Sequence, residues 1–234
     1  FGIDAALVNM YNAVAASTSG ELSVTGTGFG ETLNASSFAG DGTKGLTING
    51  GGGNDTVVAT SFGDVVNGGT GADNITGGAG ADLLTGGTGN DIFIFNSSSE
   101  SAATVAANTT VSFDDITDFT SGADKLQLNA VGSIDFGAGA AANVTAVSVS
   151  DVANFADLEA AIETAIGGSL TASDTSTAQV YDVTLTGTGL AAAGVSHLVT
   201  VNNGDDAITG DDLMVELSGS SSASILSGDF QFIA

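Results

Sequence analysis

Large apolar residues recur at every ninth position through one stretch of the chain: Val57, Val66, Ile75, Leu84 and Phe93. Between them lie glycine, small polar residues and one aspartate per interval. Nine residues are too few for a helix or hairpin with a core of its own. A fixed period of this length argues for stacked coils, each burying its apolar residue against the next. A frame that starts at Gly50 reads GGGGNDTVV, ATSFGDVVN, GGTGADNIT, GGAGADLLT and GGTGNDIFI, ending at Ile94. The pattern is G-G-x-G-x-D-x-U-x, with U large and apolar. Four units match it fully; the second lacks the glycines but keeps Asp64 at the sixth place and Val66 at the eighth. The glycine-rich half predicts a turn, and the last three residues predict a short strand with the eighth residue pointing inward. Two units then make one full coil, with a short parallel strand on each side.

The flanks follow other periods. Residues 4–16 (DAALVNMYNAVAA) place Leu7, Val8, Tyr11, Val14 and Ala15 on one helical face behind a capping Asp4. Residues 17–49 carry short β-type runs (ELSVTG, ETLNAS, GLTING) that read as degenerate coils leading into the repeat. After the repeat, VSFDDITDFTSGADKLQL (111–128) predicts two strands with a turn at Ser121–Gly122, capping the apolar end of the stack. From 144 onward, ANFADLEAAIETAIGG predicts an amphipathic helix through Phe155, Leu158, Ile162 and Ile166, stopped by Gly167 and Gly168. Around it VTAVSVS, AQVYDVTLTG, SHLVTVN, DLMVELSG and DFQFIA predict strands. The expected organisation is an N-terminal helix with degenerate coils (1–49), a parallel β-roll (50–95), a roll cap with connecting strands (96–143) and a C-terminal α+β or sandwich-like region (144–234). The fold class is mainly β.

Composition sharpens this picture. Twenty-seven acidic residues face two lysines, Lys44 and Lys125, and no arginine, for a net charge of -25. Such self-repulsion opposes compaction unless cations screen or ligate the carboxylates. Nucleic acid and anionic membrane surfaces are poor partners for it. The absence of cysteine removes disulfides as the means of holding 35 glycines in place. No run of 18 apolar residues predicts a membrane span. No basic segment followed by an apolar run opens the chain, so no Sec-type leader is expected, although Phe1 leaves room for residues before it.

In a nine-residue coil, units two apart stack directly. Asp55 then lies over Asp73 and Asp73 over Asp91, with Asp64 over Asp82 on the opposite side. Stacked carboxylates repel, and a hard dication between them reverses the sign. Calcium takes six to eight oxygens in a flexible shell, whereas magnesium demands a strict octahedron and retains its waters. Glycine turns can aim backbone carbonyls inward because no Cβ forbids the conformation. Zinc would want histidine or cysteine, and the chain has one histidine and no cysteine. The spacing itself is a calcium β-helix signature, set against the blander reading of a flexible Gly/Asp linker. The repeat count suggests about three to five ions.

These units resemble the RTX repeats of proteins exported by type I secretion in Gram-negative bacteria, over residues 50–94. The 111–128 segment is similar to the V-x-x-I-x-D-F-x-x-G-x-D-K-L-x-L stretch that follows such repeats. The resemblance implies a calcium-loaded parallel β-roll that folds on reaching calcium-rich medium, and an uncleaved C-terminal signal read by the type I secretion machinery. It implies metal ligation by Asp55, Asp64, Asp73, Asp82 and Asp91, with carbonyls from Gly51, Gly53, Gly69, Gly71, Gly78, Gly80, Gly87 and Gly89. It implies a secreted or cell-surface location. The chain's end is loosely similar to the C-terminal regions of surface proteins of this kind, and its start to those of RTX-type S-layer proteins.

Other candidates are weaker. Asp205 to Glu216 has glycine at the sixth and glutamate at the twelfth place of an EF-hand loop, but Ala207 and Thr209 supply no carboxylate at the third and fifth. A looser calcium contact through Asp205, Asp206, Asp211 or Asp212 competes with a solvated acidic loop. One of Asp114, Asp115, Asp118 and Asp124 is a candidate to complete the last half-site of the roll. His197, alone in a strand pattern, reads as structural rather than as a ligand or base. No G-x-S-x-G, HExxH or P-loop lysine is present, so no enzyme is expected. The sequence points to a secreted calcium-binding structural protein that assembles with copies of itself into a layer, sheath or filament. A calcium-dependent adhesin or glycan-binding module, with cell-surface polysaccharide as partner, and the secretion module of a larger exoprotein are the alternatives.

Overall fold

The computed structural model describes residues 22–38, 45–101, 113–131, 134–135, 141–152, 155–168, 170, 177–187, 197–202, 212–219 and 225–232. The helix expected over 4–16 lies outside them. Eight short strands build the first part. They are β1 (Leu22–Thr25), β2 (Thr32–Asn34), β3 (Leu46–Gly52), β4 (Thr56–Val58), β5 (Val65–Thr70), β6 (Asn74–Thr76), β7 (Leu83–Thr88) and β8 (Ile92–Phe95). Odd strands pair in parallel in one sheet and even strands in a second. Across the repeat the register advances by 18 residues, as Val66↔Leu84 and Val57↔Ile75 show, so two nonapeptides make one coil. The eighth-place residues Val57, Val66, Ile75, Leu84 and Phe93 are all at most 1% exposed and stack between the two sheets.

The two strands of a coil are unequal. On one side they span three or four residues, but β5 and β7 span six, running into the first glycines of the next unit. Gly51, Gly69 and Gly87 pair directly across this ladder. A glycine column lets adjacent backbones approach with no side chain between them, so pairing continues where three-residue strands were expected.

The segment after the repeat adds another coil rather than a cap. Strand β9 (Asp114–Ile116) pairs in parallel with β7, and β10 (Lys125–Leu128) pairs in parallel with β8. The turn expected at Ser121–Gly122 is present, with Gly122 at φ +85. The stack is closed instead by C-terminal strands. After the short antiparallel pair β11 (Ala130–Val131) and β12 (Ile134–Asp135) come β13 (Ala141–Ser150), helix α1 (Phe155–Ile166), β14 (Thr177–Thr186), β15 (His197–Asn202), β16 (Leu213–Glu216) and β17 (Phe230–Phe232). Strand β16 pairs with β9 and β17 with β10, so C-terminal strands extend both sheets of the roll. The first sheet thereby runs β1-β3-β5-β7-β9-β16-β15-β14-β13 without a break. The end of the chain is also tied down by Asp229. Its carboxylate accepts from Ser121 Oγ at 2.6 Å and Gly122 N–H at 2.8 Å, and lies 3.7 Å from Lys125 Nζ.

Helix α1 crosses between the parallel strands β13 and β14 and buries Leu158 and Ile162 against Val147, Val149, Val183 and Leu198. Gly167, at φ +70, ends it. The opposite face of the same strands, through Val180, Val199, Val201 and Val215, joins the core of the roll. Strands β15 and β16 are therefore buried at every position, the polar His197, Thr200, Asn202 and Glu216 included.

Candidate metal centre

Most of the described turns between the two sheets end in a carboxylate, while the passage into β3 ends in Gly45. Turns from the first sheet to the second end in Glu31, Asp55, Asp73, Asp91 and Asp124; turns back end in Asp64, Asp82 and Asp114. The carboxylates stack in two columns. In each column, a backbone N–H donates to the Oδ1 of the aspartate one coil on. The links are Glu31 to Asp55 (2.7 Å), Asp55 to Asp73 (2.7 Å), Asp73 to Asp91 (2.9 Å) and Asp91 to Asp124 (2.9 Å). On the other side Asp64 donates to Asp82 (2.7 Å) and Asp82 to Asp114 (2.9 Å). One methylene carries each aspartate carboxylate back to the backbone N–H of the preceding coil.

The second oxygen of these groups is the telling one. The Oδ2 atoms of Asp55, Asp73, Asp82 and Asp114 are buried and accept no hydrogen bond. A buried, half-satisfied carboxylate is costly unless a positive charge meets it. The one lysine among the described residues, Lys125, is engaged elsewhere, with Asp229, and His197 lies against Asp182. Burial therefore drives the carboxyls upward: Asp91 to about 6, Asp82 to about 8 and Asp114 to about 9, with repulsion from Asp64 and Glu100 adding at Asp82 and repulsion from Asp82 adding at Asp114. Asp55 and Asp73 are raised by the same burial, with smaller repulsion from the neighbouring coil.

Glycine makes this arrangement possible. Gly51, Gly53, Gly69, Gly71, Gly78, Gly80, Gly87 and Gly89 all have positive φ, between +94 and +143. These are the second and fourth places of each intact unit. The first place faces the carboxylate: a Cβ on Gly68 would sit 2.5 Å from Asp73 Oδ2 and 2.7 Å from the Gly86 carbonyl. On Gly50 it would sit 2.7 Å from Asp55 Oδ2 and 2.4 Å from the Gly68 carbonyl. The orphaned carboxylate oxygen and a carbonyl from the next coil thus flank one α-carbon. This donor set, all oxygen and half of it backbone, suits a hard cation with a flexible shell. Among the described residues no three histidine, cysteine or acidic side chains converge as a ready-made metal cluster. Each turn contributes one carboxylate, and the remaining oxygens belong to the backbone.

The structure sorts the remaining candidates. Asp114 and Asp124 both join the columns, one on each side, where a single one of the four post-repeat aspartates was expected to. Asp118 accepts from the N–H groups of Gly86 (2.9 Å) and Gly87 (2.7 Å), over the last intact turn. Asp115 instead binds Ser218. Glu31 was missed, yet GTGFGETLN fits the nine-residue frame with glutamate at the sixth place and Leu33 at the eighth. Asp205, Asp206 and Asp211 lie outside the described residues. The EF-hand reading fails at Leu213–Glu216, which is a buried strand paired on both sides rather than the start of a helix. His197 is buried and contacts the carboxylate of Asp182 on the neighbouring strand, as a structural residue would.

Stacked parallel coils with two columns of carboxylates at their turns define a cation-binding β-roll. Residues 47–66 and 58–93 match the family model of the RTX calcium-binding nonapeptide repeat, four copies, so this stretch is an RTX calcium-binding repeat module. No curated protein matches the chain. Among solved structures, the AlgE6R3 subunit from the Azotobacter vinelandii mannuronan C5-epimerase aligns at 22% identity over 92% of this chain and 85% of that one, with a TM-score of 0.39. Among the described residues no helix is long and apolar enough to cross a membrane.

Proposed function

We propose that the chain is a secreted structural subunit whose roll folds on extracellular calcium and which then joins copies of itself in a surface layer, sheath or filament. In this reading Asp55, Asp73, Asp82 and Asp91 supply the charged ligands, and Asp64 of the expected set stands apart because its Oδ2 already accepts from Thr60. Gly51, Gly53, Gly69, Gly71, Gly78, Gly80, Gly87 and Gly89 supply carbonyls. Calcium has two tasks. It offsets repulsion inside each column, and it screens a net charge of -25 between subunits. Export by a type I machinery, to the surface of a Gram-negative cell, accompanies this reading.

The observation that carries self-assembly is the edge strand β13. Ten residues long, it is paired with β14 alone among the described strands. A long edge is a template for a strand of another chain. The experiment is negative-stain microscopy of the purified chain in chelator and then in millimolar calcium, beside Thr145→Pro in β13. Ordered polymers that appear with calcium and fail with the proline variant are expected. Particles that stay monomeric while circular dichroism shows a folded roll would overturn the assembly reading and favour the glycan-binding one.

A further inference from the structure

Three of the stacked carboxylates differ from the rest in what meets their second oxygen. Thr60 donates to Asp64 Oδ2 through its N–H at 2.7 Å and through its hydroxyl at 2.8 Å. Thr120 N–H donates to Asp124 Oδ2 at 2.8 Å. Thr27 N–H donates to Glu31 Oε2 at 3.0 Å, and its hydroxyl bonds the other carboxylate oxygen. All three threonines stand four residues before their carboxylate, at the second place of the nine-residue frame. In the intact units that place is Gly51, Gly69, Gly78 or Gly87, each at positive φ. Among the described non-glycine residues only Asp151 has positive φ, so none of the threonines takes the glycine conformation. The consequence is a reversal of backbone polarity. A glycine at positive φ leaves its N–H away from the carboxylate, whose Oδ2 stays orphaned at Asp55, Asp73 and Asp82. A threonine held to negative φ turns its N–H into the carboxylate instead.

We propose that threonine at the second place closes a turn to calcium by supplying in-chain donors to the oxygen that a cation would otherwise meet. The turns ending in Glu31, Asp64 and Asp124 are then metal-free. In the first column the two closed turns bracket the three glycine turns at Asp55, Asp73 and Asp91, so the roll stops taking up cations at either end without exposing a half-built site. In the second column the closed turn at Asp64 leaves the open glycine turn at Asp82. This rests on calcium binding at the glycine turns, and the control below separates failure of that premise from failure of the proposal.

The test is the count of calcium ions per chain in native mass spectra at saturating calcium, with folding checked by circular dichroism. Thr60→Gly combined with Phe62→Gly restores glycine at the second and fourth places of the degenerate unit, and a gain of one ion is expected. Asp64→Asn is expected to keep the wild-type count, while the control Asp73→Asn loses at least one ion. An unchanged count in the glycine double variant, or loss of an ion in Asp64→Asn, would overturn the proposal. If Asp64→Asn does not fold, the gain-of-site variant decides alone. If Asp73→Asn keeps every ion, the premise of ligation at the glycine turns fails instead.

Discussion

Asp73 sits at the middle of its column, fully buried, and its substitution by asparagine separates two roles of one side chain. The amide keeps an oxygen to accept from Asp55 N–H, now 2.7 Å from Oδ1. It replaces the orphaned Oδ2 by an NH2 group, close to where the Gly86 carbonyl can accept from it. With calcium bound, one charged ligand is gone. Loss of one ion at a hundredfold excess over its dissociation constant removes about 2.7 kcal/mol of stability. For a chain of 234 residues, that corresponds to a Tm lower by roughly 5–11 °C. In chelator the sign reverses. Burial and the neighbouring Asp55 hold the Asp73 carboxyl above its ordinary value, so burying its charge without a cation is unfavourable. Asparagine removes that charge, and the metal-free Tm is expected to stay level or rise. The assay is thermal melting by circular dichroism in calcium and in EGTA. If the metal-free chain shows no melting transition, the calcium concentration at half-folding is the readout and should rise. A fall of equal size in calcium and in EGTA would refute the reasoning, because Asp73 would then matter only as a hydrogen-bond acceptor.

Further expectations follow from the same geometry. Asp91, Asp82 and Asp114 have folded-state values of about 6, 8 and 9, raised by burial above the unfolded value near 4. Their contribution to the metal-free fold is therefore complete below about pH 4 and is lost as pH rises through about 6 to 9. Melting in EGTA should give a falling Tm from about pH 5 to pH 9, whereas calcium affinity should weaken as pH falls and protons compete for the same oxygens. Gly87→Ala would place a Cβ 1.9 Å from the Gly69 carbonyl at φ +103, while Gly122→Ala, at φ +85, meets nothing within 4 Å. Both carry backbone strain of about 1–3 kcal/mol, and chemical denaturation in calcium should show a distinctly larger loss for Gly87→Ala. Phe93 is fully buried with its ring centroid 6.3 Å from that of Phe119, so Phe93→Ala should cost about 3–5 kcal/mol in calcium, measured the same way.

Period and residue type made the roll legible. An apolar residue at every eighth place and glycine on either side of the turn leave one way to bury the former and bend at the latter, and Val57 to Phe93 are stacked accordingly. The carboxylate columns follow from the same period. Three features were not legible, each for a stated reason. The coil built by β9 and β10 advances by 32 and 33 residues, because the connection through Ser98–Ser101 and beyond intervenes, and an irregular insertion hides a periodic register. The pairing of β16 and β17 onto the roll joins positions about a hundred residues apart, a contact that no local pattern encodes. The role of threonine at the second place escaped notice because ATSFG reads as a lost glycine motif. Its function shows only when the N–H direction at Thr60 is seen against the Asp64 carboxylate.

That last point bears on how charge and fold are coupled along the chain. A net charge of -25 disfavours any compact state, and the roll adds to this by burying carboxylates whose second oxygens have no donor. Were every turn closed by threonine, the roll could satisfy its carboxylates from within and would have little need of a cation. Were every turn open, the terminal coils would carry half-sites facing other elements, with carboxylates that a single ion could not share. The arrangement found lies between these. On the proposed reading, open turns make folding depend on calcium where coils stack on both sides. Closed turns let the roll meet β17 through Thr120 and Asp124, and begin at Thr27 and Glu31, with no cation required at either boundary. On the same reading, the calcium dependence of folding resides in the glycine turns. Replacing Thr60 should extend it into the one repeat unit that stands outside it.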